Sequence, residues 1–458
     1  MLHRPLIVAL ALAVPLPAQV PRSPDIRFQV QMIDPGASET AAVADLNRDG
    51  RLDIVSGEFW YEAPSWRPHR FRELGFRQQY IDAFSDLCVD VDGDSYPDVV
   101  TVSWFARKVA WWRNPADRAP RRGPGQARGT ARRDPEDRRD GAAWKETVIH
   151  EGFNVEFAVL ADVDNDGKAN EIVAQENGTG QAWYEVRNGA WVAHVVSDRT
   201  YGHGIGAGDV NKDGRNDILT PRGWLEAPAD PRAGRWPFHP DWETINTPVT
   251  APANPAPAAA PNSPPRILEL GFMHVADVNG DGRNDVIAAA GHDFGVYWFE
   301  QPAADGVWRR RTIDNAWSQG HASTLADLNG DGRADLVTGK RFMAHNGADP
   351  GERDPLGVYW YEFGPAPNGA AEWMRHVADY GGRVGGGMQL PVVDIDGDGD
   401  RDIICPGKSG LFLLRNQSPR FTSRNPAAPV PKQRAAAAGR GGARTAGPSF
   451  RTVKHRDS

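Results

Sequence analysis

The chain has very little cysteine. Cys88 and Cys405 are the only two in 458 residues, so no disulfide framework holds the fold. Long apolar stretches are equally scarce: after the first twenty residues none approaches the ~20 needed for a membrane-spanning helix. Helix-friendly sequence is missing too, because 49 glycines and 37 prolines break the chain into short pieces, which excludes a helical bundle or coiled coil. Neither sign of charge dominates. The balance of 52 basic and 60 acidic residues gives a net −8, not the character of a nucleic-acid-binding polycation. There is no Gly-x-Ser-x-Gly, His-Glu-x-x-His, phosphate-loop or dinucleotide motif, so no nucleophile or nucleotide signature stands out.

The sequence does contain one short pattern, D-x-[D/N]-x-D-[G/S]-x-x-D, repeated seven times. Its oxygen-bearing positions are Asp45, Asn47, Asp49 and Asp53; Asp90, Asp92, Asp94 and Asp98; and Asp162, Asp164, Asp166 and Glu171. The later copies are Asp209, Asn211, Asp213 and Asp217; Asp277, Asn279, Asp281 and Asp285; Asp327, Asn329, Asp331 and Asp335; and Asp394, Asp396, Asp398 and Asp402. The third copy carries an extra residue, so either Asn170 or Glu171 closes it; the second has Ser95 in place of glycine. First aspartates lie 45 to 72 residues apart, the spacing of four-strand propeller blades with insertions in alternate units. An apolar run enters each motif (strand A) and another leaves it (strand B). An aromatic run such as Phe59–Glu62 or Val358–Glu362 follows (strand C), and a fourth strand (D) often opens with Trp, as at Trp144 or Trp308.

The expected architecture is therefore an all-β, seven-bladed propeller over residues 26–416, with the Asp motif on each A–B hairpin. Blade seven lacks its outer strand, and Arg27–Met32 is the spare strand that would close the ring. Residues 1–18 read as a signal peptide cut after Ala18, which makes the expected location secreted, periplasmic or extracellular. Residues 116–143, 246–265 and 417–458 lack periodicity and read as disordered insertions and a disordered basic tail.

In each motif, alternate side-chain oxygens converge on a tight loop, which suits Ca²⁺; Mg²⁺ would demand a stricter octahedron. Of the 60 acidic residues, 24 sit at these positions, and clustered carboxylates repel one another without a cation. The same residues also make good turns, so each copy alone reads either way. The repeated motif resembles the FG-GAP/VCBS repeats of integrin α-subunit propellers and many secreted bacterial proteins. That resemblance implies a seven-bladed propeller with structural cations in its loops; it does not fix a function.

Counting back six residues from each first aspartate gives Glu39, Phe84, Glu156, His203, Gly271, His321 and Met388 at the mouth of the channel, on the face opposite the Asp loops. The B–C connections on that face add Glu58, Glu176, Asn177, Arg222, His292, Lys340, Arg341, His345 and Lys408. Polar residues there can simply line a wet channel. Alternatively, Glu39, Glu156, His203 and His321 bind a transition metal such as Zn²⁺, since imidazole and carboxylate are zinc-type ligands. His203, His321, Lys340 and Arg341 would then be catalytic, and Glu58, Glu176, Arg222, His292 and Lys408 would bind ligand. This layout is distantly similar to the propeller domain of aldos-2-ulose dehydratase, which implies metal-dependent sugar lyase chemistry. Trp60, Trp112, Trp183, Trp298 and Trp360 either pack between blades or stack on sugars.

Three functions are compatible with the sequence. A calcium-stabilised propeller binding carbohydrate or another small ligand comes first, a carbohydrate lyase or dehydratase second, and a cell-surface adhesion module with a protein partner third. Whether the chain is an enzyme is left open.

Overall fold

The computed structural model describes residues 23–115, 143–178, 180–247, 267–304, 306–366 and 370–418. The expected signal peptide lies outside these residues. So do the expected insertions and tail, apart from Ala143, Asn246, Thr247, Gln417 and Ser418. Every helix or strand described is a strand, and no helix is long and apolar enough to cross a membrane.

Strand β1 (Phe28–Asp34) is followed by β2 (Ala42–Ala44), β3 (Asp53–Ser56), β4 (Phe59–Glu62) and β5 (Arg67–Arg70), with β2 to β5 forming one sheet. A small ribbon, β6 (Phe76–Arg77) and β7 (Tyr80–Ile81), precedes the sheet of β8 (Ser85–Val89), β9 (Asp98–Ser103), β10 (Lys108–Arg113) and β11 (Lys145–Glu151). The next sheet holds β12 (Asn154–Ala161), β13 (Glu171–Asn177), β14 (Gln181–Arg187) and β15 (Ala190–Ser197).

Then come β16 (Ile205–Gly208), β17 (Asp217–Thr220), β18 (Gly223–Leu225) and β19 (Phe238–His239), and β20 (Leu270–Ala276), β21 (Asp285–Ala290), β22 (Phe294–Glu300) and β23 (Arg309–Ser318). These eight strands form one continuous sheet. Strands β24 (Ser323–Ala326), β25 (Asp335–Gly339), β26 (Gly357–Pro365) and β27 (Ala371–Tyr380) make another sheet. The last one joins β28 (Val392–Val393), β29 (Asp402–Cys405) and β30 (Leu411–Asn416) to β1, which runs antiparallel to β30 from Phe28↔Asn416 to Asp34↔Leu411.

The result is an all-β propeller in which five sheets are discrete four-stranded blades, rather than the seven expected. The difference arises where β16 and β20 run parallel and pair at Ile205↔Phe272 and Gly206↔Met273. Glycine permits that contact: a Cβ at Gly206 would lie 2.2 Å from the Met273 carbonyl oxygen.

The β-branched and aliphatic residues of the B strands, such as Ile54, Val99, Ile172 and Ile218, are wholly buried, and alternating aromatics of the C strands pack beside them. The repeated tryptophans Trp60, Trp112, Trp183, Trp298 and Trp360 are all buried, so they pack rather than face a ligand. Several stack on a cross-strand histidine: Trp60 on His69, Trp183 on His194 and Trp360 on His376, with ring centroids 3.8 to 4.2 Å apart.

Candidate functional site

Each Asp loop is organised by its own backbone. In the first copy, Asp45 Oδ1 accepts from the Asp49 amide and Oδ2 from the Gly50 amide, both at 2.9 Å. Asp53 accepts from Leu46 N at 3.1 Å and from Ala63 N at 3.0 Å, so the closing carboxylate ties the loop to the end of β4. The sharp reversal needs a left-handed residue. Gly50 supplies it at φ 88°, and Ser95 adopts φ 71° in the copy that lacks glycine. In the third copy the closing role falls to Glu171, whose Oε2 accepts from Val163 N at 2.9 Å. Burial pushes the closing carboxyls of Asp53, Asp217, Asp335 and Asp402 up to about 7, against the backbone bonds that pull them down.

The third loop position has a partner on the C strand or nearby, and its charge matches. In three of the four Asn-type copies its Nδ2 donates to a glutamate: Asn47 to Glu62 (3.4 Å), Asn211 to Glu226 (3.3 Å) and Asn329 to Glu362 (2.9 Å); Asn279 donates to Asp281 of its own loop at 3.0 Å. Where it is Asp, an arginine meets it: Arg113 on Asp92, Arg232 on Asp164 (2.7 Å) and Arg415 on Asp396 (3.7 Å). In these Asp-type copies three carboxylate oxygens come within 4.8 Å of one another: Asp90, Asp92 and Asp94; Asp162, Asp164 and Glu171; and Asp394, Asp396 and Asp402.

On the other face, Glu156 of β12 meets His203 ahead of β16, His292 in the β21–β22 connection and His321 just before β24. His203 Nε2 lies 3.1 Å from Glu156 Oε2 and 3.0 Å from His292 Nε2, which is 3.3 Å from His321 Nε2. All four ligand atoms fall within 4.8 Å of one another. The outer nitrogens of two rings are already committed, since His203 Nδ1 donates to the Leu270 carbonyl at 2.8 Å and His292 Nδ1 to Asp349 at 2.7 Å. Their Nε2 atoms therefore turn inward, toward Glu156 and one another. His321 Nδ1 is buried with no hydrogen-bond partner.

Burial holds His321 well below the ordinary imidazole value, and the nearby Arg341 lowers it further. Burial and the neighbouring His203 also lower His292. Burial opposes the charged form of His203 as well, but the Glu156 carboxylate outweighs it and leaves His203 raised. Glu156 is correspondingly held down at about 2, its burial outweighed by His203 and Arg341. For ligand atoms ~2 Å from a zinc ion, the edges of a tetrahedron are ~3.3 Å, close to the spacings here.

The cluster borders a cavity of about 540 Å³ lined by Tyr80, Phe84, Trp104, Phe105, Glu156, Gln175, His203, Glu269, His292, Arg341 and His345 among others. Glu39 does not join the histidines. It is held by Arg341, which donates from Nε and Nη2 to its two oxygens at 2.9 and 3.0 Å and reaches Glu156 at 3.4 Å. Lys340 is buried, donating to Ser318 Oγ at 3.0 Å and the Gly351 carbonyl at 2.6 Å. Lys408 donates to the Met343 carbonyl at 2.6 Å, with Nζ 3.8 Å from the Tyr80 ring centroid.

Four residues expected to bind ligand do not line this cavity: Glu58, Arg222, Glu176 and Lys408, the last lying behind Tyr80. Glu58 pairs with Arg70, and Arg222 pairs with Glu243 at 2.7 Å. Glu176 accepts from the Tyr184 hydroxyl and lines a separate cavity of about 640 Å³ with His150 and Arg235. The Asn177 side chain is outside the described part of the molecule. Conversely, His292 joins the cluster rather than standing beside it, and Asp349, Trp104, Gln175 and Glu269 carried no repeat signal. Asp349 bridges His292 and His345, whose Nδ1 is 3.0 Å from its second oxygen.

The FG-GAP-like repeat family matches residues 162–220 and 277–338. Comparison with curated proteins gives no match. Similar solved structures include an Agrocybe aegerita lectin that recognises non-reducing terminal N-acetylglucosamine, at 16% identity over 86% of this chain and 94% of that one, TM-score 0.42. Another is BBS1N in complex with ARL6DN, at 12% identity over 87% and 98%, TM-score 0.47. A third is Sqt1 of Saccharomyces cerevisiae, at 10% identity over 86% and 98%, TM-score 0.42. The chain carries FG-GAP-like repeats on an all-β propeller.

Proposed function

We propose that this chain is a secreted, calcium-stabilised, seven-bladed propeller whose funnel holds one transition metal of zinc type and binds a small carbohydrate-like ligand above it. Seven blades follow if the eight-stranded sheet is counted as two units touching at β16 and β20, as the seven motifs suggest. Ca²⁺, or Mg²⁺ in its place, belongs in the Asp loops, supported by the carboxylates gathered in the Asp-type copies. Secretion rests on the basic-then-apolar start of the sequence.

One observation carries the metal: three imidazole Nε2 atoms and one carboxylate oxygen converge within 4.8 Å, with two of the rings oriented through Nδ1. Glu156, His203, His292 and His321 would hold the ion. When bound, such a metal polarises a carbonyl or hydroxyl oxygen as a Lewis acid, which suits a sugar lyase or dehydratase. Around it, Arg341 adds to His203 in holding Glu156 ionised, and Asp349 fixes the His292 ring.

The test is elemental analysis of the purified protein and of His292→Ala and His321→Ala. About one transition metal per chain in the parent and none in the variants, with calcium unchanged, is expected. A parent with calcium alone would leave a plain binding module as the better reading.

A further inference from the structure

The cavity above the histidine cluster has a second chemical character that the metal does not use. One wall is aromatic. Tyr80 and Phe84 stack with centroids 5.7 Å apart, Phe84 meets Phe105 edge-on at 6.0 Å, and Trp104 lies 6.4 Å from Phe84. Tyr80 and Phe84 are buried, whereas Trp104 and Phe105, on the β9–β10 connection, are only partly covered and line the cavity.

That connection is held rigidly. The buried Asp82 accepts from Phe105 N at 2.9 Å and Ala106 N at 2.7 Å, its own carbonyl accepts from Ser103 Oγ at 3.1 Å, and Asn154 Nδ2 donates to the Trp104 carbonyl at 2.6 Å. Four hydrogen bonds on four consecutive residues fix the loop that presents the indole before any ligand arrives. Such preorganisation lowers the entropic cost of binding.

Two polar groups on the same cavity offer acceptors. Gln175 is 3% exposed; its Nε2 donates to the Gly202 carbonyl at 3.2 Å, which leaves Oε1 as an acceptor, and that oxygen is buried with no partner. A buried acceptor left unpaired is costly, so a donor supplied by a ligand is favoured there. Glu269 adds a second acceptor at the exposed rim. Arg341, the one guanidinium on the cavity among the described residues, is already bidentate on Glu39 and offers little to an anion.

We infer that Trp104, Phe105 and Gln175 form a sugar subsite selective for a neutral pyranose. Its apolar face stacks on Trp104, and its hydroxyls donate to Gln175 Oε1 and to Glu269. This rests on the funnel-binding reading above and specifies its ligand. An apolar platform beside unpaired acceptors fits a ring with one C–H face and many O–H donors. It fits a carboxylated sugar less well, because Arg341 is committed to Glu39 and the Glu269 carboxylate stands at the rim.

The experiment titrates the full-length protein with a panel of neutral methyl glycosides (glucose, galactose, mannose, xylose), cellobiose and maltose, and with methyl glucuronide as the anionic match to methyl glucoside. Calorimetry supplies affinity, and metal content and melting temperature are measured on the same samples. At least one neutral sugar should bind, more tightly than the glucuronide. Trp104→Ala should weaken it about tenfold, Trp104→Phe less than threefold, and Gln175→Leu several-fold, with metal and melting temperature unchanged.

A parent blind to every neutral sugar overturns the subsite. So does a Trp104→Ala variant that binds like the parent, or a preference for the glucuronide. A parent that lacks metal yet binds sugar through Trp104 supports the subsite and overturns the metal reading alone. A metal-loaded parent that ignores the panel does the reverse.

Discussion

Replacing Arg341 with methionine tests whether the funnel's charge network also holds the ring together. The guanidinium is 1% exposed and Glu39 6%, and they are joined by two hydrogen bonds of 2.9 and 3.0 Å across 302 residues of sequence. Methionine fills much of the volume but strands Glu39 as a buried carboxylate without its cation. Breaking one side of such a pair costs about 3–5 kcal/mol, several times what an exposed pair is worth. Adding Glu39→Gln removes the stranded charge, so the double variant should recover most of that loss even though it contains no ion pair. Urea unfolding of the parent, both single variants and the double variant measures the cycle. A single Arg341→Met loss below about 1 kcal/mol, or a double variant no more stable than the single, would refute the reasoning: the pair would then behave as solvated.

The Asp loops, their partners and the second cavity offer further tests. Chelating calcium should lower the melting temperature, since a native-state ligand at 100 times its Kd adds about 2.7 kcal/mol per site; superimposable curves with chelator and excess Ca²⁺ would count against cation loops. Asn211→Asp should destabilise the calcium-free protein by about 0.5–1 kcal/mol by opposing Glu226, and Glu226→Arg should reverse it, recreating the arginine–aspartate pairing seen at Asp92 and Asp396. No reversal in urea titrations would mean the partner's charge is incidental. Burial raises Glu176 from 4.5 to about 7, so the folded state holds its proton more tightly. The stability this proton gives is complete below about pH 4.5 and lost as pH rises through 7. Glu176→Gln should gain up to roughly 3 kcal/mol on the parent across that window, and parallel pH profiles would show that the carboxyl is not desolvated.

The parts of the fold that depend on neighbours in the chain are legible in the amino-acid sequence alone. All seven B strands begin at the closing acid of their motif: β3 at Asp53, β9 at Asp98, β13 at Glu171, β17 at Asp217, β21 at Asp285, β25 at Asp335 and β29 at Asp402. The physical reason is local, because the closing carboxylate caps its own loop over seven residues, as Asp53 does with Leu46. The charge matching between the third loop position and the end of the C strand is present in the sequence for some copies, as Glu62 against Arg113 and Arg415, whereas the third copy has Glu185 there and takes Arg232 from elsewhere in the chain. It becomes visible only when loop and strand are known to lie side by side.

The funnel is legible only in part, and the division follows the same logic. Glu156, His203 and His321 sit at one phase of the repeat, so counting back from the motif reaches them. His292 and Trp104 sit in B–C connections whose reach depends on loop shape, and no periodicity assigns that. Glu39 shares the phase of Glu156, yet its fate is decided by Arg341, 302 residues away. A repeat fixes how far each residue lies along the ring's axis but not which neighbour across the opening it meets. At the centre of a propeller, where strands from every unit converge, that second choice is settled by charge. The Arg341 guanidinium binds the carboxylate it reaches with both arms, Glu39, and touches Glu156 with a third nitrogen at 3.4 Å. Glu156 is thereby left facing three histidines, with His203 first and Arg341 second in holding it ionised. The ion pair that looks purely structural is thus what separates two otherwise equivalent glutamates, one turned to the fold and the other to the site.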